Sequence, residues 1–368
     1  MNRSMRLSTT LLSYIGRQFV AALAGFFLLL MALVYMFEVI ELLRRSASRP
    51  SVTTQLVLQM AFYKLPQMAE ELCPFIALFA AMITFWRLTR SHELTVARAA
   101  GVSVWQFLFP VVGMALAYGI VSVAILNPIA AALYGRFERL DVEFMQGRGN
   151  LFALSNAGFW LRQNDASGDS VVHARRVASA DMRLFDVIII NFEGQDRFKN
   201  RIDAARAQLY PGYWEVEDAW ITAPERPAVF EQRRRVPTNM TAEQIQDSFS
   251  SPLTISFWEL PGFIRLIETA GFSATRHRLH WHQLTALPLL LAAMVLIAAT
   301  FSLRPHRRGG TGLMIATGIG TGFVLFFVSS LVGALGQSAT IPVALAAWTP
   351  AAVSSMLGIA MLLHLEDG

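Results

Sequence analysis

The sequence predicts a membrane α-helical bundle of six transmembrane helices, arranged three plus three, with an inserted all-β domain of the jelly-roll type. Three observations lead to this prediction. Of the 368 residues, 54% are hydrophobic and only 15% are charged, whereas soluble domains carry about 25% charged residues. The apolar residues form six stretches that approach or exceed the roughly 20 residues needed to cross a bilayer. A more polar interval, residues 143–261, separates the first three stretches from the last three.

The apolar stretches predict the helices in chain order. They cover residues 19–37, 66–86 with a lead-in from 55, 102–126, 284–303, 312–335 and 341–364. We expect the third helix to stop at Asn127-Pro128, because proline interrupts a helix interior. Two amphipathic connectors, residues 129–144 and 258–270, join the helices to the central interval. The predicted domains are residues 1–142, 143–261 and 262–368.

The central interval reads as strands. Runs of β-branched and aromatic residues lie at 159–161, 171–173, 187–190 and 213–216, and glycine and proline separate them. Short runs of this kind, separated by turn residues, are typical of antiparallel strands. They predict an antiparallel sandwich or jelly roll.

Basic residues predict the orientation. Arg304, Arg307 and Arg308 lie between the fourth and fifth helices, and no basic residue lies between the fifth and sixth. Because positive loops stay in the cytoplasm, both termini are expected inside and the β-domain outside. Arg44, Arg45 and Arg49 follow the first helix on the side expected to be outside. Charge alone therefore does not orient the hairpin formed by the first two helices.

Several kinds of chemistry have no support in the sequence. There is no phosphate-binding loop of the ATPase type, so we expect the chain to bind no cofactor and to hydrolyse no ATP itself. The single cysteine, Cys73, excludes an intramolecular disulfide and a cysteine zinc site. The histidines of 276–282 fit a membrane-interface belt better than a metal site. The arginines lie beside apolar segments, which favours a membrane surface over nucleic acid as a partner.

One short segment predicts contact with another protein. Residues 89–101 contain Arg90, Ser91, Glu93, Leu94 and Arg98 between two apolar helices. Ser91 can cap the start of a helix here, Glu93 suits the positive end of its dipole, and Gly101 can end it. The segment is either an ordinary loop with a well-placed acid or a coupling helix that docks into a partner's groove.

Arginines on the outer side predict an anion site. Arg44 and Arg45 follow the first helix, and Arg136 and Arg139 share one helix face at spacing i, i+3. Guanidinium groups suit bidentate phosphate binding. Alternatively, these arginines reach ordinary headgroups or pair with neighbouring acids, namely Glu38, Glu41, Glu138 and Asp141.

Two features of the helices predict a cavity or gate. Glu70 and Glu71 lie between Pro66 and Pro74 in the second helix, and acids at such depth face a cavity or the membrane interface. The fifth helix is rich in glycine, which permits close helix contact and suits either a gate-like interface or static packing.

The motifs, in their order, resemble a known family. They are Tyr14-Ile15-Gly16-Arg17, Ser91-His92-Glu93-Leu94 with Ala99-Ala100-Gly101, Asn127-Pro128 with Arg136 and Arg139, Arg304-Pro305, and Pro342, Trp348 and Pro350. Over nearly the whole chain they resemble the LptF/LptG permeases of the lipopolysaccharide exporter. The helix-four and C-terminal segments are more similar to the LptG branch.

The resemblance implies a transport complex. It implies a heterodimer with an LptF-like permease, two LptB ATPase subunits that hold ATP and Mg²⁺, and LptC as a further partner. It implies that lipopolysaccharide leaves the outer leaflet of a Gram-negative inner membrane and passes to a periplasmic bridge. Both termini would be cytoplasmic and the β-domain periplasmic.

The resemblance also implies residue roles. Glu93 would be the coupling acid, within the ATPase-contacting set Arg90, Ser91, Glu93, Leu94 and Arg98. The lipid phosphates would meet Arg44, Arg45, Arg136 and Arg139. The cavity and the lateral gate, the latter formed by helices one and five of opposite subunits, would include Phe37, Glu38, Glu41, Gly318, Gly322 and Phe326. LptG members often carry lysine where this chain has Glu38, so Arg44 or Arg45 would replace the lost phosphate contact.

Two other functions stay open at this point. A secondary transporter would need ion-coupling acids within the membrane, and Glu70 and Glu71 are the candidates. A non-transporting membrane scaffold with an external β-domain would need no lipid site.

Overall fold

The computed structural model describes residues 9–47, 52–99, 101, 103–141, 144, 159–165, 168–178, 183–193, 197–224, 226–238, 251–269, 273–302 and 311–367. Within these ranges, six helices are long and apolar enough to cross a membrane. Three of them precede a β-sheet in the chain and three follow it. The six predicted spanning helices are therefore confirmed.

The described helices are α1 (Thr9–Ser46), α2 (Thr54–Arg90), α3 (Glu93–Ala99), α4 (Val104–Val121), α5 (Asn127–Leu140), α6 (Leu260–Thr269), α7 (Thr275–Ser302), α8 (Thr311–Gln337) and α9 (Val343–Asp367). The spanning helices are longer than their apolar stretches, provided that α4 and α5 are counted as one continuous helix. The 37 residues of α2 span about 55 Å at 1.5 Å per residue. This length exceeds the roughly 30 Å hydrocarbon core, so α2 extends beyond it unless it is strongly tilted.

The predicted stop at Asn127-Pro128 is wrong. A π-helical turn, Ser122–Leu126, joins α4 directly to α5, and the combined helix runs over Val104–Leu140. Pro128 lies in the first turn of α5, where the loss of a backbone donor is best tolerated. The wider π turn changes the hydrogen-bond register just before the proline, and the helix continues. The predicted connector at 129–144 is therefore mostly a continuation of the third spanning helix.

The bundle is organised around α7. In its most apolar window 72% of the residues are buried, against 11% in α1 and 17% in α8. It packs against α2, α4 and α9. Where α4 meets α7, a Cβ atom added to Gly119 would lie 2.5 Å from Cα of Pro288, so only glycine permits this approach. The large exposed apolar faces of α1 and α8 are available to lipid or to another subunit.

In the described part of the central interval, six antiparallel strands form the inserted sheet. They are β1 (Phe159–Asp165), β2 (Gly168–Ala178), β3 (Arg183–Glu193), β4 (Arg197–Tyr210), β5 (Tyr213–Ala223) and β6 (Arg226–Pro237), paired in sequence order. One face buries an apolar cluster that includes Trp214, Val187 and Ile202. The four predicted strand runs lie within β1, β2, β3 and β5. The jelly roll, the three-plus-three division into halves and the three domain boundaries stay predictions.

The sheet and α3 belong to opposite ends of the bundle. The end of α1, the start of α2 and α5 share an apolar cluster that includes Leu42, Val57 and Phe137. From that end the chain enters the sheet, and it returns through a 3₁₀ turn, Pro252–Thr254, that packs on α5. At the other end, α3 follows α2, and the Thr89 hydroxyl donates to the carbonyl of Ser302 at the end of α7 (3.2 Å).

Candidate functional site

The link between α2 and α3 differs from the sequence prediction. The Ser91 amide donates to the Arg87 carbonyl (3.0 Å), and its hydroxyl donates to the Leu88 carbonyl (3.3 Å). Ser91 therefore caps the end of α2, and the prediction that it caps the start of α3 is wrong, because α2 continues to Arg90. His92, with φ of +60°, turns the chain into α3. Gly101, with φ of +86°, lies past the end of α3, where a left-handed residue commonly follows a helix.

The short helix α3 has an anchored side and an exposed side. Leu94 is buried in the main core of the bundle. Glu93 is exposed, and the Tyr14 hydroxyl of α1 donates to its Oε1 (3.3 Å). Val96 is 68% exposed. The segment thus presents an acid and an apolar side chain together, which suits a protein contact.

Val96 was missed in the sequence analysis because a single valine in a helix carries no signal without knowledge of its direction. Arg90 lies over the Trp86 ring, with its guanidinium carbon 5.2 Å from the centroid. The side chain of Arg98 lies outside the described part of the structure.

Two of the four outer arginines have acidic partners. Arg44 pairs with Glu41 one turn earlier (2.9 Å). Arg45 of α1 pairs with Asp141 at the end of α5 (3.0 Å), and the aspartate side chain is only 12% exposed. For these two arginines the structure matches the alternative of pairing with neighbouring acids.

The other two arginines are less engaged. Arg139 donates through Nε to the carbonyl of Gly135 in its own helix (3.1 Å). Arg136 is exposed and makes no hydrogen bond or ion pair with any residue that the structure describes. Both lie on α5 near its sheet-side end, so their guanidinium groups are the more available for a phosphate.

Glu38 is neutralised from across the bundle. Lys64 of α2 forms an ion pair with it (2.8 Å), and both side chains are largely buried, at 20% and 13% exposed. The same Lys64 nitrogen lies 5.4 Å from the ring centroid of Phe137 on α5. The acid that stands where relatives were expected to carry lysine therefore has its own cation. Lys64 lies 26 residues from Glu38 in the sequence. Helix spacing rules therefore could not predict this partner.

The predicted cavity and gate residues fall into two groups. A cavity of 510 Å³ lies between α2, α7, α8 and α9, and Gly322 and Phe326 line it. A Cβ atom added to Gly322 would lie 3.1 Å from Leu78 of α2. Gly318 packs in the same way on Met82 of α2. Both glycines thus provide close packing of α8 on α2.

The residues predicted from the first helix are elsewhere. Phe37 is 64% exposed on α1, while Glu38 and Glu41 are held by Lys64 and Arg44. None of the three lines the cavity beside α8. The described part of one chain therefore does not bring these α1 residues to the α8 cavity, and the lateral gate stays a prediction.

A buried polar network contains Glu70, which the sequence had left without a partner. The Asn127 side-chain amide donates to both carboxylate oxygens of Glu70 (3.1 and 3.2 Å). Its oxygen accepts from the Phe257 amide (2.7 Å). These hydrogen bonds connect α2, α5 and the segment that returns from the sheet. Within the described ranges, no three acids, histidines or cysteines are grouped as a metal site would require.

The fold and these side chains define a polytopic membrane protein with an inserted antiparallel sheet, exposed arginines near the sheet and an acid-bearing short helix at the far end. Residues 13–364 match the family described as lipopolysaccharide export system permease LptF/LptG. The chain therefore belongs to the LptF/LptG family of lipopolysaccharide export permeases. Curated relatives agree with the predicted LptG branch.

Two such relatives are both named lipopolysaccharide export system permease protein LptG. The Escherichia coli K12 protein is 24% identical over 305 residues, which cover 81% of this chain and 83% of that protein. The Haemophilus influenzae protein is 25% identical over 364 residues, which cover 96% and 97%. The match thus extends across both helical groups and the sheet between them.

Proposed function

We propose that this chain is the permease subunit of an ATP-driven exporter that extracts lipopolysaccharide from the outer leaflet of the inner membrane. It pairs with an LptF-like permease, takes its energy from two LptB subunits at α3, and passes the lipid toward a periplasmic bridge that includes LptC. The observation that carries this proposal is α3 itself. It is anchored by Leu94, exposes Glu93 and Val96, and lies at the bundle end opposite the sheet.

The contacts of α3 suit the transmission of force. Only Ser91 and His92 separate it from α2, and Leu94 packs into the bundle core. Tyr14 connects Glu93 to α1. A partner that pulls on Glu93 therefore acts on α1 and α2 together, and α2 carries the displacement along its full length to the sheet side.

Lipid recognition is proposed for the opposite end. Arg136 and Arg139 are exposed on α5, and a guanidinium group can bind a lipid phosphate through two parallel hydrogen bonds. Arg44 and Arg45, already paired with acids, would bind the lipid more weakly. They contribute chiefly by keeping Glu41 and Asp141 from repelling it.

The coupling role is tested by Glu93→Gln, which removes the charge and keeps the side-chain length. The complex is reconstituted with its LptF-like, LptB and LptC partners in vesicles, and ATP hydrolysis and lipopolysaccharide release are measured together. We expect lipid released per ATP hydrolysed to fall about tenfold or more, because a charge-assisted contact is lost at the coupling surface.

The matched control is Glu259→Gln, an exposed acid near the sheet-side end of the bundle. It should leave the ratio of lipid to ATP unchanged. Normal coupling in the Glu93 variant would contradict the proposal. Lipid transport without any ATPase subunit would favour the secondary transporter, and an ATPase complex that never carries lipid would favour the scaffold.

The phosphate role is tested by replacing both Arg136 and Arg139 with glutamate. A photo-crosslinker placed nearby on α5, in place of Ile129, reports the bound lipid. Reversing two exposed charges should lower lipopolysaccharide crosslinking about tenfold. The reason is that two guanidinium groups, which attract phosphate, are replaced by two carboxylates, which repel it.

Arg44→Glu provides the comparison, because Arg44 already has an internal partner. We expect its effect on crosslinking to be clearly smaller than that of the double variant. Equal crosslinking by the double variant and the unmodified protein would reject the assignment of these two arginines.

A further inference from the structure

A second cavity lies between α1 and α2 at the end of the bundle that carries α3. Its volume is 970 Å³. Residues of both helices line it, among them Tyr14, Arg17, Ala21, Gly25, Leu29 and Arg87. We call it the α1–α2 groove. Among the residues that the structure describes, its charged lining side chains are those of two arginines, and none is a carboxylate.

The polar part of the groove is unsatisfied. The guanidinium groups of Arg17 and Arg87 make no hydrogen bond or ion pair with the part of the chain that the structure describes, and both side chains are exposed. The buried Oε1 of Gln18 also has no hydrogen-bond partner there. Two cations that line one groove without a partner among the described residues, and with no acid among its described lining residues, favour an anionic ligand.

The apolar part of the groove runs along α1. Nothing lies within 4 Å of a Cβ atom placed on Gly25, so the groove is open at its middle. From Arg17 to Leu29 the helix rises about 18 Å at 1.5 Å per residue. One leaflet of a bilayer has a hydrocarbon thickness of about 15 Å. The groove therefore has the length of one acyl chain layer with the cations at one end.

The level of the two arginines matches a membrane surface. Trp86, next to Arg87, carries Arg90 over its ring, and tryptophan is enriched where headgroups meet hydrocarbon. Basic pockets between spanning helices on the cytoplasmic side are suited to anionic lipid headgroups.

We propose that the α1–α2 groove binds an anionic phospholipid from the leaflet on the α3 side of the membrane. The phosphate meets Arg17 and Arg87, and one acyl chain lies along Ala21, Gly25 and Leu29. That this leaflet is the cytoplasmic one rests on the orientation in the proposed function, whereas the binding itself does not. Tyr14 lines the same groove and holds Glu93, so the lipid headgroup lies beside the coupling helix.

The test uses the complex with its partner subunits in nanodiscs of phosphatidylethanolamine. Spin-labelled phosphatidylglycerol and spin-labelled phosphatidylcholine are compared as probes for the protein-bound lipid fraction. We expect the unmodified complex to prefer phosphatidylglycerol. In the Arg17→Gln, Arg87→Gln double variant that preference should fall by about fivefold for each arginine removed.

A control pair and a second variant make the test specific. Arg206→Gln with Arg233→Gln removes the same charge from the sheet, where both arginines are exposed and face Glu217. It should leave the preference unchanged. Gly25→Leu keeps both cations and fills the middle of the groove, and it should lower the bound fraction of the anionic probe.

Two results would overturn the proposal. One is an unchanged preference in the double-arginine variant together with an unchanged bound fraction of the anionic probe in Gly25→Leu. The other is a Gly25→Cys variant that crosslinks efficiently to a spanning helix of a partner subunit, which would show that protein and not lipid fills the groove. Crosslinking to a reactive acyl-chain probe at the same position would instead support it.

Discussion

Lys64 contacts two helices besides its own. Its ammonium group pairs with Glu38 of α1 and lies against the Phe137 ring of α5. A cation placed over an aromatic ring gains about 0.5–2 kcal/mol, and a largely buried acid needs a counter-charge. Lys64 therefore joins α1, α2 and α5 near the sheet side and neutralises the charge of Glu38.

Removal of this cation should destabilise the bundle. In Lys64→Met, Glu38 keeps a charge in a largely buried position without a partner, at a cost of about 1–3 kcal/mol. We expect the thermal unfolding midpoint of the detergent-solubilised complex to fall. In the double variant, Lys64→Met with Glu38→Met, most of the midpoint should return because no unpaired charge remains. Strictly additive losses in the two single variants and the double variant would argue against the pair.

At the residue scale, the sequence predicted which charged residues would be unusual better than it predicted which side chains they contact. It singled out Glu93, Arg136 and Glu38 as charged residues in unusual places. In the structure Glu93 and Arg136 are exposed, and Glu38 forms an ion pair. It could not supply Lys64 for Glu38 or Asn127 for Glu70, because those contacts join residues 26 and 57 positions apart. Spacing rules reach only within one helix or one hairpin.

At the scale of elements, hydropathy predicted the six spanning helices, while local signals misplaced their ends. Pro128 suggested that the third helix stops there. The π turn before it shifts the backbone hydrogen bonds, so the helix can continue through the proline. Strands β4 and β6 were missed because their exposed faces carry many arginines, which are not enriched in strands. These two segments form strands because neighbouring strands pair with them, and not because of their own composition.

The contact between α4 and α7 depends on one glycine. Gly119→Ala would place a methyl group against the backbone of Pro288, and overpacking of this kind costs about 1–3 kcal/mol. Gly113 lies in the same helix with nothing within 4 Å of its Cβ position. We expect Gly119→Ala to lower the thermal unfolding midpoint and Gly113→Ala to leave it unchanged or raise it slightly, since alanine is the better helix former. Equal effects of the two would remove the case for close packing here.

At the scale of the whole molecule, the chain is asymmetric in two directions. Along the bundle, the sheet connections and the outer arginines occupy one end, and α3 with Glu93 occupies the other. Across the bundle, α7 is enclosed, while α1 and α8 leave broad apolar faces open. The second asymmetry leaves apolar faces for lipid or for another membrane subunit. Under the proposed function, the first asymmetry separates the site of energy input from the site of lipid contact.

The long-axis asymmetry predicts opposite sides of the membrane for α3 and the sheet. Ala99→Cys lies exposed at the end of α3, and Phe230→Cys replaces a half-exposed residue of β6. The native Cys73 is fully buried and gives little background. In intact spheroplasts, a membrane-impermeant maleimide should label Phe230→Cys and should label Ala99→Cys only after permeabilisation. Because force from an ATPase must cross the bilayer through α2 in our proposal, labelling of both positions from the same side would remove its physical basis.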